Sequence, residues 1–174
     1  MVVMADKSVP TSDHIRDIIS FVEASPTSYH AVAELTRRLE QAGFQRLEET
    51  ESWPSVEGRR YVVRDGAVIA WITPEKVTPQ LGARIVGSHT DSPSFKLKPN
   101  ATVTNQGWQQ VGMEVYGGGL LNSWLDRDLG LSGRLVTCDG QAHLVRTGPI
   151  LRISQLGPHL DRTVNDDLKL DRQR

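Results

Sequence analysis

Three features of the 174-residue sequence predict a layered α/β or α+β fold. Two helical periods open the chain, and an Asp-Gly hairpin and a short apolar run follow them. From about residue 95 the pattern is strand and turn almost throughout.

The first helix begins at Thr11, Ser12 or Asp13, each able to cap a helix N-terminus. Ile15, Ile18, Ile19 and Val22 then recur at i, i+3, i+4 and i+7, forming one apolar stripe. Ser25-Pro26-Thr27 ends the helix, because a residue before proline is biased away from helical angles. A second helix is expected over 28–42, with Val32, Leu35 and Leu39 inward and Gly43 in the left-handed C-terminal position.

Residues 60–64 and 67–73 flank Asp65-Gly66, a strong short-range hairpin signal. Residues 74–79 read as a charged loop. Residues 83–87 read as a short, mostly buried strand that runs straight into Ser88-His89-Thr90-Asp91-Ser92-Pro93. Downstream, 95–98 alternate and 108–115 carry apolar residues at mixed spacing. Residues 131–138 and 142–146 face each other across Asp139-Gly140-Gln141 as a second hairpin, and 149–153 form another short strand. The tail, 165–174, is highly charged and reads as a linker or a cut, not as a packed terminus.

Composition narrows the function classes. Hydrophobic residues are 38% and charged residues 24% of the chain, the range of soluble globular proteins but lean in apolar residues. That leanness suggests a core completed by further chain or by a partner. With 20 basic and 21 acidic residues, a net charge of -1 and no long run of either sign, nothing favours nucleic acid or an anionic membrane as partner. No stretch reaches the apolar length of a membrane span. Residues 1–10, expected to be disordered, lack the basic start and apolar centre of a secretory signal, so the expected location is cytoplasmic. The single cysteine, Cys138, leaves no internal disulfide to form and fits a reducing compartment. Its place in a Thr-Cys-Asp-Gly turn makes it incidental.

His89 follows directly on the predicted strand and would stand at its carboxyl end, where open α/β sheets form their ligand crevices. Imidazole is a good zinc ligand, and Asp91 is placed to accept the other ring N–H, which fixes the tautomer and strengthens the metal-binding nitrogen. The same spacing also suits a His and an Asp that merely cap a turn, and spacing alone favours the turn. Among the other histidines, His14 reads as solvated, His30 as a hydrogen-bonded structural residue and His143 as a surface or edge residue. Tyr116-Gly117-Gly118-Gly119 lacks the Lys-Ser/Thr of a phosphate loop and the spacing of a dinucleotide fingerprint. Its glycines read as positions of unusual backbone angle and close approach between chains. Asp126, Arg127 and Asp128 read as a salt-bridged structural cluster.

The company this motif keeps reverses the preference for a turn. Ser25-Pro26-Thr27-Ser28-Tyr29-His30-Ala31-Val32, then Ser88-His89-Thr90-Asp91-Ser92-Pro93, then Tyr116-Gly117-Gly118-Gly119-Leu120 and Trp124-Leu125-Asp126-Arg127-Asp128-Leu129 occur in that order. Together they closely resemble the M18 (aspartyl-aminopeptidase-like) zinc aminopeptidases. Gly148-Pro149-Ile150-Leu151-Arg152-Ile153 and Pro158-His159-Leu160 are similar to the same family, so the resemblance covers about 15–165.

The resemblance implies a cytosolic exopeptidase that removes N-terminal residues, often acidic ones, from peptide substrates with Zn²⁺, two ions per complete active site. It implies an α/β/α catalytic domain interrupted by a β-rich dimerisation domain through which the protein forms a homo-oligomer. On that template 11–95 open the catalytic domain and 96–174 are an incomplete β-rich domain. His89 becomes a zinc ligand and Asp91 the catalytic-site residue that orients it. His159 matches a histidine that reaches the active site from a neighbouring subunit, to bind metal or substrate. The bridging Asp, the Glu pair and the later ligands of such enzymes lie beyond the inserted domain, and no glutamate here sits in a matching motif. The chain alone is therefore expected to be inactive. Two competing readings are a noncatalytic self-association module derived from that family, and an unrelated metallohydrolase or small-ligand binder that uses His89 and Asp91 alone.

Overall fold

The computed structural model describes residues 12–53, 57–76, 78 and 82–170. The predicted disordered segment 1–10, the Thr11 cap, Val77 and Pro79 of the predicted loop, and tail residues 171–174 lie outside the described residues. The chain divides into two compact units, Met1–Asp91 with Gly133–Leu144, and Ser92–Ser132 with Val145–Arg174.

In the first unit, α1 (Asp13–Ala24) starts where Ser12 accepts a hydrogen bond from the Ile15 N–H at 3.3 Å. After the Pro26 break, α2 (Ser28–Gln41) is capped by Thr27, whose Oγ1 accepts from the His30 N–H at 3.3 Å. Gly43 follows at φ +80°, as expected. Arg38 ties the two helices together, donating to the Asp17 carboxylate at 2.8 Å and to Glu34 at 2.7 Å. Arg37 adds two bonds to Glu34 at 2.8 and 2.6 Å. These hydrogen bonds, from Arg37 first and Arg38 second, pull the Glu34 carboxyl down to about 2.

The predicted Asp-Gly hairpin forms. Strand β1 (Gln45–Arg46) lies parallel to β2 (Gly58–Arg64), which pairs antiparallel with β3 (Ala67–Thr73), Arg64 opposite Ala67. Two residues of β1 are too few to show a period, so the sequence gives no sign of it. The buried apolar residues of this unit are Ala31 and Val32 of α2, Leu47, and Tyr61 and Val62 of β2. Tyr61 is fully buried, and its hydroxyl donates to Glu40 Oε1 at 2.7 Å. Burial, and then the Glu40 carboxylate, push this phenol up to about 12.

In the second unit, β4 (Ser94–Asn105) and β5 (Trp108–Tyr116) form an antiparallel hairpin around Gln106-Gly107, with a register shift between Leu97 and Thr102. Phe95 meets Trp124 of the 3₁₀ turn Leu121–Trp124 edge-on, ring centroids 5.2 Å apart. The predicted cluster at 126–128 is held from outside itself: Arg152 pairs with Asp126 at 3.5 Å and Asp128 at 3.6 Å. Arg127 turns instead to the Ser123 carbonyl at 3.4 Å. The second expected hairpin also forms, as β6 (Ser132–Val136) and β7 (Ala142–Arg146), and its residues from Gly133 to Leu144 belong to the first unit.

Two expectations are corrected. Residues 83–87 form no strand, and Ile85 and Val86 are 88% and 98% exposed rather than buried. An apolar run becomes a strand only when neighbours take up its backbone N–H and C=O groups, and no described strand pairs with this one. Residues 149–153 likewise form isolated bridges, Leu129 with Leu151 and Leu125 with Ile153. The stripe of α1 is helical as predicted, yet Ile15, Ile18, Ile19 and Val22 are all about half exposed or more. Periodicity shapes a stripe, but only a facing surface buries it.

Two pH effects follow from this packing. The stability that neutral Tyr61 contributes is full below its ordinary value of 10 and is lost as pH rises to about 12. Tyr61→Phe should remove that alkaline component and cost about 1.5 kcal/mol at neutral pH, read by urea unfolding. The Glu34 contribution is present above the ordinary 4.5 and is lost as pH falls to about 2. Glu34→Gln should flatten thermal melting temperature against pH across that acid window.

Candidate functional site

Residues 82–93 carry the His89 motif as an irregular segment, exposed except at Thr90 and Asp91. Thr90 attaches it to the first unit, since its Oγ1 donates to the Gly66 carbonyl at 2.6 Å. Gly66 belongs to the β2–β3 turn and packs on the start of α2. A Cβ at Gly66 would lie 2.7 Å from Ser28 Oγ and 3.0 Å from Ser28 Cβ, so no larger residue fits without a shift. The adjacent Asp65 accepts an ion pair from Arg134 of β6. The Arg134 guanidinium also lies over the Tyr29 ring, 4.5 Å from its centroid.

At His89, Nδ1 lies 2.8 Å from the Asp91 main-chain oxygen and 3.3 Å from Asp91 Oδ1. A carbonyl oxygen only accepts, so Nδ1 carries the proton. A neutral ring then keeps its lone pair on Nε2. The side chain is 80% exposed. The Asp91 carboxylate was the expected acceptor, and the Asp91 carbonyl stands closer to Nδ1 than the carboxylate does. The donor chemistry fits zinc, which takes neutral imidazole nitrogen whose opposite N–H is held by an oxygen.

The other sequence candidates are placed as follows. His159 is exposed in the 158–160 turn of the second unit. His14 and His143 are exposed, and His30 Nδ1 bonds Thr27 Oγ1 at 2.8 Å, a structural contact as expected. Among the described residues no group of three or more His, Cys, Asp or Glu is arranged to hold a metal ion. In the Tyr116-Gly117-Gly118-Gly119 block, Gly117 has φ +76°, and a Cβ there would meet the Pro93 Cβ at 3.2 Å. This close approach is to a residue of the same chain.

The peptidase family described as "Aminopeptidase I zinc metalloprotease (M18)" matches residues 21–174. The chain belongs to the M18 peptidase family. It is similar to the probable M18 family aminopeptidase 2 of Streptomyces avermitilis, 54% identical over 163 residues, covering 92% of this chain and 38% of that protein. Among solved structures it is similar to a chain of the Ape4 and Nbr1 complex, with a TM-score of 0.81 and 38% identity over 91% of this chain and 32% of the other. It is also similar to the S. cerevisiae mApe1 dodecamer, with a TM-score of 0.75 and 32% identity over 83% of this chain and 36% of the other. The M18 chain thus shares the fold of M18 aminopeptidases while spanning about 38% of the length of the curated relative.

Within this M18 chain, sequence reasoning missed Thr90 and Arg134. Thr90 lay inside the motif already singled out, and its polar side chain between two candidate residues was the available signal. Arg134 gave none, because it reaches Asp65 across 69 residues of sequence. Replacing Gly66 with alanine should cost about 1–3 kcal/mol through the clash with Ser28. The loss should shrink in a Ser28→Gly background, as a double-mutant cycle of denaturant unfolding would show.

Proposed function

We propose that this M18 chain contributes the first part of the active site of a zinc aminopeptidase that removes N-terminal residues, acidic ones by preference, from peptides. The observation that carries the reading is the His89 ring, with its Nδ1 proton held by Asp91 and its side chain 80% exposed. His89 would hold one zinc through Nε2, and Asp91 would keep the ring in the tautomer that leaves that nitrogen unprotonated. Zinc, when bound, supplies Lewis-acid polarisation of the scissile carbonyl and of water. The complete site takes two zinc ions, with the remaining ligands and the general base supplied outside these 174 residues.

On this reading 11–95 belong to the catalytic domain and 96–174 to a β-rich domain of a cytoplasmic homo-oligomer. His159 serves the active site of a neighbouring subunit, as ligand to metal or substrate. The dodecameric state of the similar mApe1 supports an oligomer here. Calorimetric titration should show weak zinc binding by the isolated chain, lost in His89→Ala. Aspartyl and glutamyl chromogenic substrates should not be turned over by the chain alone. Turnover by the purified chain, or zinc binding that survives His89→Ala, would overturn the reading.

A second reading, a noncatalytic self-association module, draws on the exposed Ile15, Ile18, Ile19 and Val22 of α1 and on Ile85 and Val86. Both readings expect the isolated chain to associate, and a monodisperse monomer in light scattering would count against both. Zinc binding through His89 separates them.

A further inference from the structure

We propose that Thr90 is a positioning residue for His89, acting through the Gly66 carbonyl. The inference rests on reading His89 as a zinc ligand. Among the described residues no strand pairs with the segment that carries His89, and all of 82–93 is exposed except Thr90 and Asp91. A contact that registers it beside His89 is the Thr90 hydroxyl on the Gly66 carbonyl at 2.6 Å. That carbonyl is a fixed point. Its residue has no room to move toward Ser28, and its neighbour Asp65 is held by Arg134, itself seated on the Tyr29 ring.

Thr90 lies between the ring and the oxygen that orients it. Holding Thr90 sets where the Asp91 carbonyl stands, and that carbonyl takes the His89 Nδ1 proton at 2.8 Å. Without the hydroxyl, the Asp91 carbonyl is no longer kept opposite the ring. The ring then also populates the Nε2–H tautomer, which places a proton on the nitrogen that zinc needs. Threonine suits the task because its branched side chain has few χ1 choices and carries a donor.

The test uses the full chain without zinc, ¹⁵N-labelled at histidine, with ring tautomers read by long-range ¹H–¹⁵N correlation. At about pH 8.5 an imidazole of ordinary pKa, about 6.5, is neutral. His89 should be Nδ1-protonated in the parent chain and in Thr90→Ser. In Thr90→Val it should move toward the Nε2–H form. The His30 signals, set by Thr27, should stay unchanged and report an intact fold. If valine disturbs His30 as well, the Thr90→Ser and Thr90→Ala pair isolates the hydroxyl. A parent-like tautomer in both Thr90→Val and Thr90→Ala, or a loss in Thr90→Ser equal to theirs, overturns the proposal. Zinc calorimetry should in addition show Thr90→Val weaker by about tenfold. Should the parent chain show no zinc response at His89, the zinc reading fails, while the tautomer comparison still decides the role of Thr90.

Discussion

The first unit is organised by one turn. Asp65-Gly66 closes the β2–β3 hairpin and is also where α2, the His89 segment and the β6 hairpin meet the sheet. Each partner uses a different atom of the turn. Ser28 packs against the bare Cα of Gly66, Thr90 donates to the Gly66 carbonyl, and Arg134 pairs with the Asp65 carboxylate. A glycine is required for the first contact by space. A backbone oxygen left unpaired at the end of the ladder is what makes the second contact available.

Around that turn the apolar core is small. Its buried apolar residues are Tyr61 and Val62 of β2, Ala31 and Val32 of α2, and Leu47, and Tyr61 brings its own hydrogen bond into the interior. Ion pairs among Asp17, Glu34, Arg37 and Arg38 fasten the helices along their more exposed faces. Such pairs define helix register more than they stabilise the fold, since exposed charges in water contribute little each. The apolar residues that remain outside, on α1 and at 85–86, are numerous for a chain already lean in hydrophobics. They match a chain that spans about 38% of the length of its curated relative.

Membership of the M18 family and the geometry at His89 bear on different questions. The family match covers most of the chain and gives its ancestry and fold. The hydrogen bond from His89 Nδ1 to the Asp91 carbonyl gives a local geometry, a proton on Nδ1 facing a main-chain acceptor. A short motif of this spacing is compatible with a plain turn, and its reading as a metal ligand belongs to the proposed function.

Local chemistry was legible in the sequence. The Ser12 and Thr27 caps, the proline break, the Asp-Gly hairpin and the order of the family motifs all depend on neighbours a few residues apart, and each can be read from the chain. Tertiary structure decided what depends on distant partners. Residues 83–87 carry the composition of a buried strand, but a strand needs a second strand to accept its backbone groups, and none of the described ones does. The α1 stripe has a helical period but no covering surface. Thr90 and Arg134 acquire their roles only because the fold brings Gly66 and Asp65 to them across 24 and 69 residues. Spacing within a motif names the residues that have the chemistry; only packing shows which atom each one offers and what holds it there.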